Sequence, residues 1–174
     1  MRKIIGWILA VVVLLIIGLG IVYLTDADRV KSSNISKINE IARSVEGQEV
    51  NNRFDTNIGI DVGGELVEEF MAYFETGEEG LPATVEVREQ MVEIIFASDF
   101  LENQVYIFDK NGKLALYKAV SNTVGGEIRY YFKDDKNIDI QFDYAEEKAN
   151  ENAEAENVDE IVKRSKLVYD KYLK

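Results

Sequence analysis

The apolar and polar positions of the chain fall into three different rhythms. The first is an unbroken apolar run, IIGWILAVVVLLIIGLGIVYL at residues 4–24, with no charged side chain. As a helix it would extend roughly 31 Å, enough to cross a hydrocarbon core. The second rhythm follows at once: Ile35, Ile38, Ala42 and Val45 recur at three- and four-residue spacing between Lys37, Asn39, Glu40 and Arg43. That is a narrow helical stripe, and Gly47 is its natural stop. Two arrangements satisfy it. The stripe can pair weakly with that of a second copy, or it can lie on its own domain.

The third rhythm is alternation. Val85 and Val87 alternate with Glu86 and Arg88, and Val92, Ile94 and Phe96 with Glu93 and Ile95. Then VYIFDKNGKLALY at 105–117 is echoed by RYYFKDDKNIDIQ at 129–141. Strands so closely spaced leave no room for crossover helices and must be antiparallel neighbours. Between 51 and 64 the text is irregular and polar, and 65–75 (ELVEEFMAYFE) fits a helix or a strand equally. At the end, Asn157-Val158-Asp159-Glu160 is a helix-capping signal. Val158, Ile161, Val162, Leu167 or Val168, Tyr169 and Tyr172 follow as one stripe, with Asp159–Lys163 and Glu160–Arg164 as i,i+4 pairs. An acidic spacer, 145–156, joins sheet to helix.

The echoed loops invite a metal-site reading, which the residues disfavour. Aligned at Phe108 and Phe132, the large apolar positions persist while Asp109-Lys110-Asn111-Gly112 drifts to Lys133-Asp134-Asp135-Lys136. A duplicated metal site would keep its ligands, whereas tight turns need only residues that tolerate left-handed backbone. Asp55, Asn57 and Asp61 resemble a calcium loop, but its sixth and twelfth positions are Ile60 and Leu66, where glycine and glutamate are required.

Charge sets the orientation of the first run. Arg2 and Lys3 precede it, while Asp26, Asp28, Arg29 and Lys31 cancel behind it. Basic residues stay in the cytoplasm, so the rest of the chain is expected outside the cell membrane as a single-pass domain. A cleavage sequence ending at Ala27 offers the alternative of secretion. Arg2 and Lys3 are the only charges before residue 25. Residues 25–174 therefore hold 18 basic against 32 acidic side chains, a net of −14, which disfavours nucleic acid and anionic lipid surfaces. The sequence has no histidine and no cysteine, removing the commonest general base, thiolates and the usual zinc ligands. No cofactor, metal or catalytic residue is expected. A carboxylate pair remains conceivable among so many acids.

The order of these pieces resembles an uncharacterised bacterial exported-domain family with two YYFDNGKLI-like hairpin repeats. The matching residues are Gly63-Gly64-Glu65-Leu66, Tyr73-Phe74, Tyr106-Ile107-Phe108-Asp109 with Asn111-Gly112-Lys113-Leu114, Arg129-Tyr130-Tyr131-Phe132, and 158–173. That resemblance implies architecture and location and no activity, and it inclines 65–75 toward strand. A fainter one, to the tandem repeats of MORN-type proteins, implies a protein-binding sheet.

The expectation is an α+β chain: a stub and transmembrane anchor at 1–24, a juxtamembrane helical segment at 25–50, and an extracytoplasmic domain at 51–174. That domain is an antiparallel meander of five or six strands with a carboxy-terminal helix. Its expected role is non-enzymatic binding or scaffolding toward another envelope protein or peptide. Tyr117, Tyr131 and Tyr144 are the candidate contact residues unless they pack under the helix. An inhibitor or immunity protein that sequesters an envelope-active enzyme is the alternative, and a carboxylate-based hydrolase the second alternative.

Overall fold

A computed structural model describes residues 26–58, 81–97, 102–121, 125–144 and 155–174. The apolar run 4–24, the 65–75 segment with its Gly-Gly-Glu-Leu motif, and most of the acidic spacer lie outside the described residues. No helix among the described residues is long and apolar enough to cross a membrane.

Residues 26–46 are helical (α1), and Gly47 ends the helix in a turn. Up to Lys37 the side chains are exposed apart from half-buried Asn34 and Ile35. Ile38–Lys174 forms one compact unit, so its boundary falls inside the segment that reads as juxtamembrane. The sheet of that unit has seven strands: β1 (Asn52–Ile58), β2 (Leu81–Arg88), β3 (Met91–Phe96), β4 (Asn103–Phe108), β5 (Leu114–Val120), β6 (Gly126–Lys133) and β7 (Lys136–Tyr144). Each pairs antiparallel with its successor, in the order β1 to β7. The helix α2 (Val158–Tyr172) follows.

The expected antiparallel meander is therefore present with one strand more than the alternation predicts. That strand is β1, NRFDTNI. Its residues up to Asp55 are exposed, so nothing selects for apolar residues at every second position, and the pairing comes from the backbone of β2.

Cross-strand register explains why both faces of the central strands are apolar. Val92, Tyr106, Tyr117, Tyr130 and Ile140 stand opposite one another in one row across β3 to β7. With Val85, Ile94, Phe108 and Phe132 they form a core with Ile161 and Val168 of α2. The other face carries buried Val105, Ile107, Leu116 and Tyr131. Over it lies the end of α1, where Ile38, Ala42 and Val45 are buried. Asn39 accepts the Tyr131 hydroxyl at 3.2 Å, Lys118 pairs with Glu46, and the Gln48 carbonyl accepts from Arg88 at 3.3 Å. Of the two arrangements open to the stripe, the single chain shows burial of these three residues against its own sheet, with Ile35 half-buried.

The opening turn behaves as turn chemistry requires. The Asp109 carboxylate accepts the N–H groups of Asn111 and Lys113 at 2.8 and 3.0 Å, and Gly112 takes φ +75°. The second turn adopts the same role at higher cost, because Asp134 and Asp135 both sit at positive φ, 54° and 60°. Two left-handed residues define a type I′ hairpin, which favours Asn-Gly. The double variant Asp134→Asn, Asp135→Gly should therefore gain about 1 kcal/mol in chemical denaturation, with its denaturant slope unchanged. A loss of stability would show that the aspartates serve something besides the turn.

Candidate functional site

Side-chain hydroxyls converge at one end of the face under α2. Rows of paired strands aim Tyr106, Tyr117 and Tyr130 the same way, with ring centroids 5.0 and 5.5 Å apart in succession. Tyr106 donates to Gln104 at 2.6 Å, and Tyr117 donates to the Glu156 carboxylate at 2.8 Å. The Tyr130 hydroxyl accepts the Glu156 backbone N–H at 2.6 Å. Into this cluster α2 projects Arg164, whose guanidinium lies 5.7 Å from the Tyr117 ring centroid. One of its terminal nitrogens donates to Glu156 and, at 3.4 Å, to the Tyr117 hydroxyl. At the margin, Tyr144 donates to Glu102 at 3.1 Å.

Local sequence builds this arrangement. Asn157 caps α2, its side chain accepting the Asp159 N–H at 3.0 Å, which fixes where the helix starts and how it is turned. Ile161 and Val168 then face the sheet, and Arg164 and Ser165 fall between them on the same stripe. Glu160 is not the partner of Arg164, as i,i+4 spacing predicts. The buried face takes the guanidinium inward to Glu156 instead.

The electrostatics favour holding over reacting. Burial pushes the Tyr106 phenol up to about 12 and the Tyr117 phenol well above its usual range, so both are neutral hydrogen-bond donors at physiological pH. Burial alone would lower the Arg164 pKa, but Tyr106, Tyr117 and Glu156 raise it beyond the usual guanidinium value. The Arg164 Nε is buried with no partner among the described residues. A fixed cation, neutral phenols and a carboxylate already bonded to both make a clasp for the helix. They supply no activated nucleophile.

Glu102 is the exception. Burial pushes its carboxyl above the usual 4.5, opposed by the Tyr144 hydrogen bond and aided by the charge of Glu156. A raised acid pKa means that the folded chain holds this proton more tightly than the unfolded chain. The stability it contributes is complete below the unfolded value and is lost as pH rises through the folded value. Glu102→Gln should accordingly stabilise the fold at pH 7 and change it little at pH 4, with equilibrium unfolding at the two pH values as the check. Equal effects at both would place the cause outside titration.

The three tyrosines singled out in the sequence separate. Tyr117 is buried in the clasp, Tyr131 is buried against the α1 side, and Tyr144 is half-buried at the margin. Tyr117 and Tyr131 present no ring to a partner, because each lies under a helix of its own chain. The sequence pattern missed Arg164 and Glu156 at the clasp. The available signal was the polar pair Arg164-Ser165 standing where the α2 stripe calls for an apolar residue.

Among the described residues the exposed aromatics lie elsewhere, at the two margins of the sheet. Phe54 on β1 is 45% exposed and 5.8 Å from the Tyr172 ring, and Phe142 on β7 is 37% exposed. Comparisons with family models, with characterised proteins and with solved structures found no match.

Proposed function

We propose that this chain is a membrane-tethered, extracytoplasmic binding or scaffold protein that performs no catalysis. The observation that carries the reading is the closure of both sheet faces by the chain's own helical segments. A sheet covered on both sides offers a partner its margins and loops, and the exposed aromatics lie at those margins. The cluster of convergent polar groups under α2 is filled by its own hydrogen bonds, where an enzyme would keep room for a substrate.

Tethering is supported by the apolar run 4–24 with basic residues ahead of it. It is supported also by the helical state of residues 26–46. Cleavage at Ala27 would require unwinding there, since extended, exposed backbone is what proteases accept. The net charge of −14 after the run keeps the inhibitor reading alive, because complementary charge accelerates association with a basic enzyme.

The test is crosslinking in intact cells with a membrane-impermeant reagent, recovering the chain through a carboxy-terminal tag. A scaffold gives adducts with an envelope protein whose formation falls only modestly as ionic strength rises. An inhibitor gives adducts whose rate of formation falls steeply with salt. Absence of any external adduct would contradict both.

A further inference from the structure

The described sheet ends at β7, and the character of that edge selects a partner. β7 is the longest strand, and from Asp139 to Tyr144 its register with β6 is unbroken. Natural edges are usually shortened, or blocked by lysine or proline, to prevent pairing. β7 has no proline, and its one lysine, Lys136, lies at the turn opposite Lys133, so Asn137–Tyr144 carries neither block.

The backbone directions follow from the ladder. The Gly126 carbonyl accepts the Ser121 N–H at 2.9 Å, so Gly126 faces β5. Alternation then turns Glu127, Arg129 and Tyr131 toward β7. Their partners Asp143, Gln141 and Asp139 face β6, and the N–H and C=O groups of Ile140 and Phe142 point away from the sheet. On this edge the exposed Phe142 ring stands over the α2 side, while Asp139 and Asp143 stand on the other. Asp139 accepts from Gln141 at 2.8 Å. Asp143 pairs with Arg129 at 3.1 Å but keeps its side chain 65% exposed, so a partner's cation can share it.

We infer that β7 takes up an extended segment of a partner in which apolar residues alternate with lysine or arginine. Such a segment would add an eighth strand, its apolar residues meeting Phe142 and its cations meeting Asp139 and Asp143. A second copy of this chain is disfavoured in the register centred on Gln141. Two β7 strands paired antiparallel about Gln141 would set Asp139 of each opposite Asp143 of the other, and directly opposed like charges destabilise a pair. The β1 edge is less suited, since its Arg53 is already paired with Glu86 and would repel a basic segment. This inference rests on the binding-domain reading above and names the class of partner.

The experiment uses the full chain in lipid nanodiscs with two nine-residue probe peptides, one alternating valine with lysine and the other valine with glutamate. Amide exchange read by mass spectrometry should slow at residues 136–144 with the lysine peptide and remain unchanged with the glutamate peptide. The Phe142→Pro variant removes only an N–H that faces outward, a position where edge strands tolerate proline, and should weaken the lysine peptide by about tenfold or more. Asp143→Lys leaves the backbone edge intact and should shift preference from the lysine toward the glutamate peptide, so it carries the test if the proline variant does not fold. Slowed exchange at 52–58 in place of 136–144, binding indifferent to both variants, or no binding by the lysine peptide would overturn the inference. Because the readout is taken on purified chain, these failures leave the tethering and orientation untouched. A domain facing the cytoplasm would conversely void the envelope partner and leave the edge as described.

Discussion

Gly126→Ala is expected to cost about 3–5 kcal/mol. Two causes act together. Gly126 takes φ +107°, a backbone conformation that a residue with a side chain rarely adopts. A Cβ built there overlaps the Asp143 carbonyl oxygen and lies 2.5 Å from the Tyr144 Cα. Both obstacles are backbone atoms of β7, so relief requires the end of the β6–β7 hairpin to part. Domains of this size are stable by about 5–15 kcal/mol, so the melting temperature should fall by roughly 10 °C or more. Gly47→Ala is the control. Its Cβ would meet only the Arg43 carbonyl oxygen, at 3.5 Å, an ordinary contact. Thermal unfolding of the two variants beside the parent decides the matter, and equal melting temperatures would show that the hairpin end does not close as described.

Arg164→Ala is the second large expectation, a loss of about 2–4 kcal/mol. Removing one member of a buried ion pair usually costs 3–5 kcal/mol because the other charge is left unpaired. The Glu156 side chain is about one-third exposed, 34%, and can recover part of its hydration, which moderates the loss. Truncation also empties the space beside the Tyr117 ring. The informative comparison is the double variant Arg164→Met, Glu156→Gln. It replaces the buried charges with groups of similar volume and keeps an acceptor for the Tyr117 hydroxyl. Pairs replaced in this way are commonly neutral or stabilising, so the double variant should recover most of what Arg164→Ala loses. If both variants were equally unstable, the clasp would owe its strength to the charged hydrogen bonds of Arg164 and Glu156, which matching volume does not replace. Denaturant titration of the three proteins measures this directly.

The fold was largely legible because its strongest signals are local. Alternation in the two echoed units placed β4 to β7, and the Asp109 and Gly112 turn chemistry fixed the first hairpin between them. The cap at Asn157 located the start of α2 to the residue. Each of these depends on neighbours within a few positions. What the pattern could not give depends on distant partners. β1 is held by the backbone of β2 and by the Arg53–Glu86 and Asp55–Thr84 contacts across it, and shows no alternation of its own. Arg164 reads as a solvent-facing member of an i,i+4 pair until the sheet beneath it supplies three tyrosines and Glu156. Tyr117 and Tyr131 read as surface candidates because a two-faced strand cannot say which helix will cover it. The exposed aromatics that remain, Phe54 and Phe142, sit at the margins, and strand order decides which residues are marginal.

The central claim, a domain held outside the cell by its own amino-terminal anchor, is tested most directly through the absence of cysteine. A single cysteine placed at exposed Lys166 of α2, or at Lys3 ahead of the apolar run, is the only thiol in its variant. Intact cells are treated with a membrane-impermeant maleimide, and the membrane fraction is analysed by intact mass. The account predicts that Lys166→Cys is labelled, that Lys3→Cys is protected until the cells are opened, and that both proteins are full length. Labelling of Lys3→Cys with protection of Lys166→Cys, or recovery of a shortened chain from the medium, would contradict it.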